Sequence, residues 1–177
     1  MDEAVIDSAI FREGMSRLAA AVSLVTTDGP RGRHGFTASA VCSVTDTPPV
    51  LLVCMNRDSV PVDAFRENSG LCVNVLSGAH QGLSDLFADP SIAMANRFAA
   101  SPWLTTVSGA PMLPTAVVSF DCSIAQVVEI ETHSVLFCRV RDIGFADPVQ
   151  DALLWCSRGY HTIPLASRLV PQGSKAG

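Results

Sequence analysis

The segment from Gly35 to Val44 reads GFTASAVCSV, and it runs directly into the turn TDTPP and the apolar run VLLVCMN. Successive side chains of a strand point to opposite faces. As one strand, the segment sets Thr37, Ser39, Val41 and Ser43 on one face and Phe36, Ala38, Ala40, Cys42 and Val44 on the other. The second face is core material. The first is small and hydroxylic, so hydroxyls and unshielded backbone N–H groups lie within reach of something planar and polar. Two readings of it are open: a cofactor seat, or the wet side of an edge strand.

The rest of the chain reads as a mainly β protein. Ser8 caps a short amphipathic helix carrying Phe11, Met15 and Leu18, expected to lie against the body of the domain. Ala21 to Thr27 is rich in β-branched residues and the turn at Asp28-Gly29-Pro30 makes a hairpin with the opening strand. Val50 to Met55 is apolar throughout and reads as a central strand. Ser59 is placed to cap a brief helix through Phe65, which Asn68-Ser69-Gly70 ends. Leu71 to Leu76 returns as strand, and Gly78 to Phe98 is helical with a break at Asp89-Pro90. Two long β-rich runs fill Ala116 to Phe145 with His133 at their junction, and a last strand covers Ala152 to Cys156. There is no βαβ alternation, which predicts an antiparallel barrel or sandwich. One domain over 1–165 and a disordered tail over 166–177 are expected.

Composition removes several function classes. The net charge is −5, with 12 Lys and Arg against 17 Asp and Glu, so no basic surface for a nucleic acid is expected. No apolar run approaches the roughly 20 residues that span a bilayer, and the start MDEAVIDS is acidic, so a soluble cytoplasmic protein is expected. A mean hydropathy of +0.32 with only 16% charged residues leaves apolar surface to cover, which predicts a homodimer. The six cysteines show no CxxC spacing and read as buried free thiols rather than metal ligands. Rossmann, phosphate-loop, HExxH and GxSxG signatures are absent.

Three constellations remain. Glu129, Glu131 and His133 share a face by period-2 spacing, which suits either a metal or a solvent-facing strand; without a second histidine at ligand spacing the latter is favoured. His133 alone is a lone polar group at a strand junction, more often structural than catalytic. The loop Asn56-Arg57-Asp58-Ser59 offers amide, guanidinium and hydroxyl donors to a phosphate, with N–H groups at a helix start. A flat polar seat beside a phosphate clamp describes a flavin mononucleotide.

On these residues the chain resembles the flavin reductase family of split-barrel flavin-binding proteins. The resemblance runs from Phe11 to His161 through FREGMSRLAAAVSLVTT, GFTASAVCSVTDTPP, LLVCMNRDS, LCVNVL, RFA, VSFDC, THSVLFC and RGYH. It is nearest to the reductase components of pyrimidine-degrading and hydroxyphenylacetate monooxygenases, with corrinoid reductases also related. The resemblance implies a split β-barrel of Greek-key character with a few short helices, a homodimer, and hydride transfer from NADH to FMN for a partner monooxygenase. FAD and NADPH are the alternative cofactors. It implies that Thr37, Ala38 and Ser39 line the isoalloxazine ring, with Ala40, Ser43 and Val44 further along. Asn56 and Ser59 would hold the phosphate with Arg57 or Arg97, His133 would approach the nicotinamide, and Tyr160 with His161 would close the site. The chain reads Glu131-Thr132-His133 where many members read GDH, and Cys138 stands at a common glycine; bulk at both points is expected to reshape the nicotinamide groove. A retained flavin that reduces a corrinoid, and a non-catalytic flavin- or haem-binding barrel, are the alternative functions. Pyridoxamine phosphate oxidase-like proteins share the fold but would need more basic residues.

Overall fold

The computed structural model describes residues 6–58, 61–148 and 151–165. The backbone opens with helix α1 (Ser8–Ser16) and strand β1 (Ala20–Ala21), then β2 (Ser23–Thr27), β3 (His34–Ala38), β4 (Val41–Asp46) and β5 (Pro49–Asn56). Helix α2 (Val62–Asn68) leads to β6 (Gly70–Val75), and a single 3-10 turn at Gly78–His80 to α3 (Gln81–Ala88) and α4 (Met94–Ala99). Short strands β7 (Leu104–Thr105) and β8 (Pro111–Met112) precede a long hairpin of β9 (Val118–Ile130) and β10 (His133–Phe145). The hairpin β11 (Asp151–Cys156) and β12 (Gly159–Pro164) ends the described chain. No described helix is long and apolar enough to cross a membrane.

Seven strands form one antiparallel sheet in the order β3-β2-β6-β9-β10-β5-β4. Its two outer strands, β3 and β4, follow each other in the chain, joined only by Ser39 and Ala40. The sheet must therefore curl until its edges meet, and a split barrel results. At the seam the chain changes partner: Ala38 still faces Ser23 of β2, whereas the Ala40 carbonyl already accepts from Cys54 N of β5 at 3.0 Å.

That change of partner corrects the single-strand reading of Gly35 to Val44. The stretch is two strands, and the alternation of faces slips at the seam. Phe36 and Ala38 are buried as expected, but beyond the seam it is Val41 that packs on the core, while Ala40, Cys42 and Val44 are exposed. A corner breaks the period of 2, because the residues that turn it pair with neither neighbour in register.

Two cores lie on either side of the sheet. Inside the barrel Val25, Phe36, Val53, Met55, Leu71 and Leu136 pack around Phe65 of α2, whose ring meets Phe36 edge-on at 5.5 Å. Outside, Val22, Leu24 and Leu76 pack on Phe87 and Phe98 of α3 and α4. All of β2 is buried because it serves both cores. Gly35 lets α3 approach: a Cβ there would meet the Phe87 ring at 2.8 Å. Asn74, fully buried on β6, ties these layers together. Its amide donates to Leu24 O and Thr26 Oγ1 and its Oδ1 accepts from Leu113 N and Ser119 Oγ.

Other expectations need correction. The cap of α1 is Asp7, whose Oδ1 accepts from Ala9 N at 2.7 Å, so Ser8 is the first helical residue. The helix buries nothing, and Phe11 stays 60% exposed. Pro61 precedes α2, which runs past Phe65 to Asn68 and ends as expected within Asn68-Ser69-Gly70, on Ser69 in the left-handed region at φ 60°. Ser59 and residues 166–177 lie outside the described residues. Val50 to Met55 is paired on both sides, yet only its alternate residues Leu51, Val53 and Met55 are buried. Strand β12 carries Tyr160 and His161, which the sequence reading left in an unpaired segment.

Candidate active site

The seam is also a hollow. A cleft of about 630 Å³ opens along it, walled by β3 and the corner on one side and by the α3–α4 segment on the other. Thr37, Ala38, Ser39 and Ala40 form the floor, with Asn56, Arg97 and His133 among its other walls. Asn56 ends β5 and His133 begins β10, and the two are directly paired across the strands. Cross-strand partners on an antiparallel ladder bring their side chains within about 5.5 Å, so residues 77 apart in sequence present one polar edge to the cleft.

The local bonding decides which groups can still act. Thr37 Oγ1 donates to Ser84 O at 2.6 Å, so its hydroxyl proton anchors α3 and only the oxygen's acceptor lone pairs face a ligand. Arg97 is buried and donates to the carbonyls of Phe87, Asp89 and Ile92 at 3.0, 2.7 and 2.9 Å. It fixes the turn between α3 and α4 that carries Pro90 and Ile92 into the cleft wall. The Asn56 side chain accepts from Asp58 N at 2.9 Å and organises the loop after β5. His133 Nδ1 lies 2.9 Å from Thr132 Oγ1.

Other sequence-derived candidates lie elsewhere. Arg57 points to Glu129, with Nη1 2.7 Å from Oε2, and Arg66 pairs with the same carboxylate. Ser134 Oγ donates to it as well, at 3.0 Å. Glu129 therefore faces two arginines, while Glu131 sits in the β9–β10 turn at φ 47°, and the shared face with His133 is broken by that turn. Among the described residues no cluster suited to a metal ion occurs. Ser43 and Val44 lie on the exposed surface of β4, outside the cleft. Cys138 is fully buried in the barrel core, so its bulk does not reach a groove. Burial pushes its thiol up to about 12 and raises Cys72 and Cys122 too.

Tyr160 lines a recess of about 210 Å³ that adjoins the cleft through Thr37, Ala38, Ser39 and Ala88. Its ring packs against Trp155 at 5.0 Å, and its hydroxyl bonds Ser84 Oγ and Asp85 Oδ1, both at 2.9 Å. Burial and then the neighbouring Asp85 carboxylate push the phenol up, with Ser84 opposing. His161 instead bonds Cys156 O at 3.1 Å within its own hairpin. The sequence reading missed Cys54, Met94, Pro61 and His34 in the cleft wall. Only His34 carried a signal, as a polar ring at the start of the seat strand.

The flavin reductase like domain family matches residues 15–164. FMN reductase (NADH) RutF of Escherichia coli strain K12 is 52% identical over 159 residues, covering 90% of this chain and 96% of that protein. A crystal structure from Haemophilus somnus 129pt with a flavin reductase designation is 41% identical, with a TM-score of 0.85 over 89% of this chain and 100% of its own. BorF, the flavin reductase component of a bacterial two-component tryptophan halogenase, is 27% identical with a TM-score of 0.83 over 90% of this chain and 100% of its own.

Proposed function

The chain belongs to the flavin reductase-like domain family, and from that premise we propose that it is an NADH-dependent FMN reductase supplying reduced flavin to a partner monooxygenase. The observation that carries this reading is the seam cleft itself, where a floor of small residues meets the Asn56–His133 edge. Its volume lies within the range of about 300 to 1,000 Å³ typical of cofactor sites. A flat tricyclic ring fits a floor whose side chains are as short as Ala38, Ser39 and Ala40. A bulkier residue at any of them would fill the space the ring needs.

Bound flavin supplies the acceptor for a hydride from the nicotinamide of NADH. The chain's own contribution is positional. Ala38 to Ala40 hold the ring through backbone groups, and Asn56, with Ser59 of the following loop, holds the phosphate, while Arg57 is turned away to Glu129. Arg97 keeps the α3–α4 wall in place. His133 borders the nicotinamide, and the apolar Pro90, Ile92 and Met94 exclude water, so that the two rings stack in a reactive pose. No side chain is required as a base. Among the described residues the arginines near the cleft, Arg97 apart, are paired with carboxylates, which favours NADH over a dinucleotide with a 2′-phosphate.

In the same reading the chain is one domain over 1–165 that works as a homodimer through its uncovered apolar surfaces, in a reducing cytoplasm that suits six free thiols. The test is an absorption spectrum of the purified protein with FMN, followed by a stopped-flow mix with NADH. Bleaching of the flavin band with turnover that depends on added FMN is expected. Flavin that binds but stays oxidised would make the protein a binding module, and reduction of a cob(II)yrinate acceptor without flavin release would make it a corrinoid reductase.

A further inference from the structure

Nδ1 of His34 is the one buried side-chain polar atom without a hydrogen-bond partner among the described residues. Such atoms are destabilising, and in a native protein each needs a reason. The ring stands at the first residue of β3, in the wall between two hollows. One is the seam cleft; the other is a depression of about 450 Å³ lined by Pro30, Arg31, Pro61, Asp63 and Ala64. Pro61 also lines both, so the two hollows share an edge at the end of the cleft that faces the loop after β5.

The charges around this end are already engaged. Arg31 pairs with Glu67 at 3.5 Å, Arg33 with Asp28 at 3.1 Å, and Arg57 and Arg66 with Glu129. Arg97, on the opposite wall, commits three of its five N–H donors to carbonyls. An anion arriving here meets Arg31, Arg33, Arg57 and Arg66 already paired with carboxylates, and an imidazole with donor capacity to spare. A half-turn of that ring exchanges the enclosed nitrogen for the other, with no hydrogen bond to Nδ1 opposing it.

We propose that His34 is a binding residue of the cleft and donates a ring N–H to a phosphate oxygen of the bound nucleotide. The proposal rests on the flavin-binding reading above. Two nucleotides bring phosphate to this site, FMN and NADH, and the test separates them. Dissociation constants for FMN and for riboflavin, which lacks the phosphate, are measured by flavin fluorescence in the native protein, His34→Ala and His34→Asn. The KM is measured for NADH and for reduced nicotinamide riboside, a hydride donor without phosphate.

If the flavin phosphate is the partner, His34→Ala weakens FMN about tenfold and leaves riboflavin unchanged, because only a hydrogen bond to a charged group is lost. His34→Asn restores an N–H and recovers most of the affinity. A rise in KM for NADH alone, with the phosphate-free donor and FMN unaffected, assigns the bond to the dinucleotide phosphates and also supports the proposal. Parallel weakening of FMN and riboflavin, or no change in any constant, overturns it. A native protein that binds no FMN overturns the functional reading instead. Should His34→Ala fail to fold, His34→Gln, which keeps an amide donor on a longer arm, is compared with His34→Leu on the same four constants.

Discussion

At the scale of single residues, the site is set by which polar groups are already engaged. Thr37 and Arg97 look like ligand contacts in the sequence, yet one anchors α3 and the other fixes the α3–α4 turn. Sequence shows residue type and spacing, and it cannot show that a donor is taken by a carbonyl dozens of positions away. The same limit hides Asn74, an ordinary-looking polar residue of LCVNVL that satisfies groups from three other segments. Asn74→Leu takes away the acceptor of the Leu113 N–H and of the Ser119 hydroxyl in the core and should cost about 3 kcal/mol, read as a lower urea midpoint. At the site, His133→Ala should raise the KM for NADH by about tenfold while changing FMN affinity far less, since losing one hydrogen bond or ring contact is worth about 1.4 kcal/mol. Equal loss of both would remove His133 from the nicotinamide side. Ala40 lines the cleft but is exposed, so Ala40→Leu should abolish flavin binding and shift the melting temperature little.

At the scale of elements, periodicity gave the strands and turns gave the hairpins, but pairing partners lay beyond both. The β2–β3 hairpin is written in Asp28-Gly29-Pro30, and the β9–β10 hairpin in two long β-rich runs. That β3 and β4 are opposite edges of one sheet is written nowhere locally, because the choice of partner is decided by seven strands competing to bury their apolar faces. Helix α1 shows the reverse limit: its apolar Phe11 and Met15, continued by Leu18 past the helix end, are legible, and what covers them is not. A pH response belongs to the turn before α3. There His80 Nδ1 accepts from Ser77 N at 3.1 Å, and its Nε2 lies 3.0 Å from Thr115 Oγ1. Burial lowers the His80 pKa, with Asp151 opposing. A depressed base favours the neutral ring in the fold, so the stability it contributes is complete above about pH 6.5, the unfolded value. It is lost as pH falls through the lower folded value. Thermal unfolding followed from pH 8 to 5 should show this decline, and His80→Asn should flatten it.

At the scale of the whole molecule, two cores share one sheet, and the surface keeps apolar patches that a lone chain does not hide. Phe11 on α1 and Leu18 just past its end are each 60% exposed, and Phe145 on β10 is 59% exposed. Sedimentation should report a dimer at micromolar concentration, and the double substitution Phe11→Glu with Leu18→Glu should shift it toward monomer while preserving the far-ultraviolet spectrum. A native monomer would remove the dimer from the proposed function. The thiols offer a separate gauge of the barrel's integrity. Cys72, Cys122 and Cys138 are buried with pKa values raised by that burial, so a thiol reagent at pH 8 should label them only when the barrel opens.

Ser39 and Ala40 join the two edges of the sheet and also floor the cleft, so one dipeptide answers to two demands at once. A replacement there must keep the short side chain that the floor needs and a backbone that can pass from β2 to β5 as its partner. Descendants of this chain therefore have little freedom at the seam, and their affinity for flavin is free to drift mainly from the opposite bank, where Pro90, Ile92 and Met94 line the cleft from a connection that the barrel does not need in order to close.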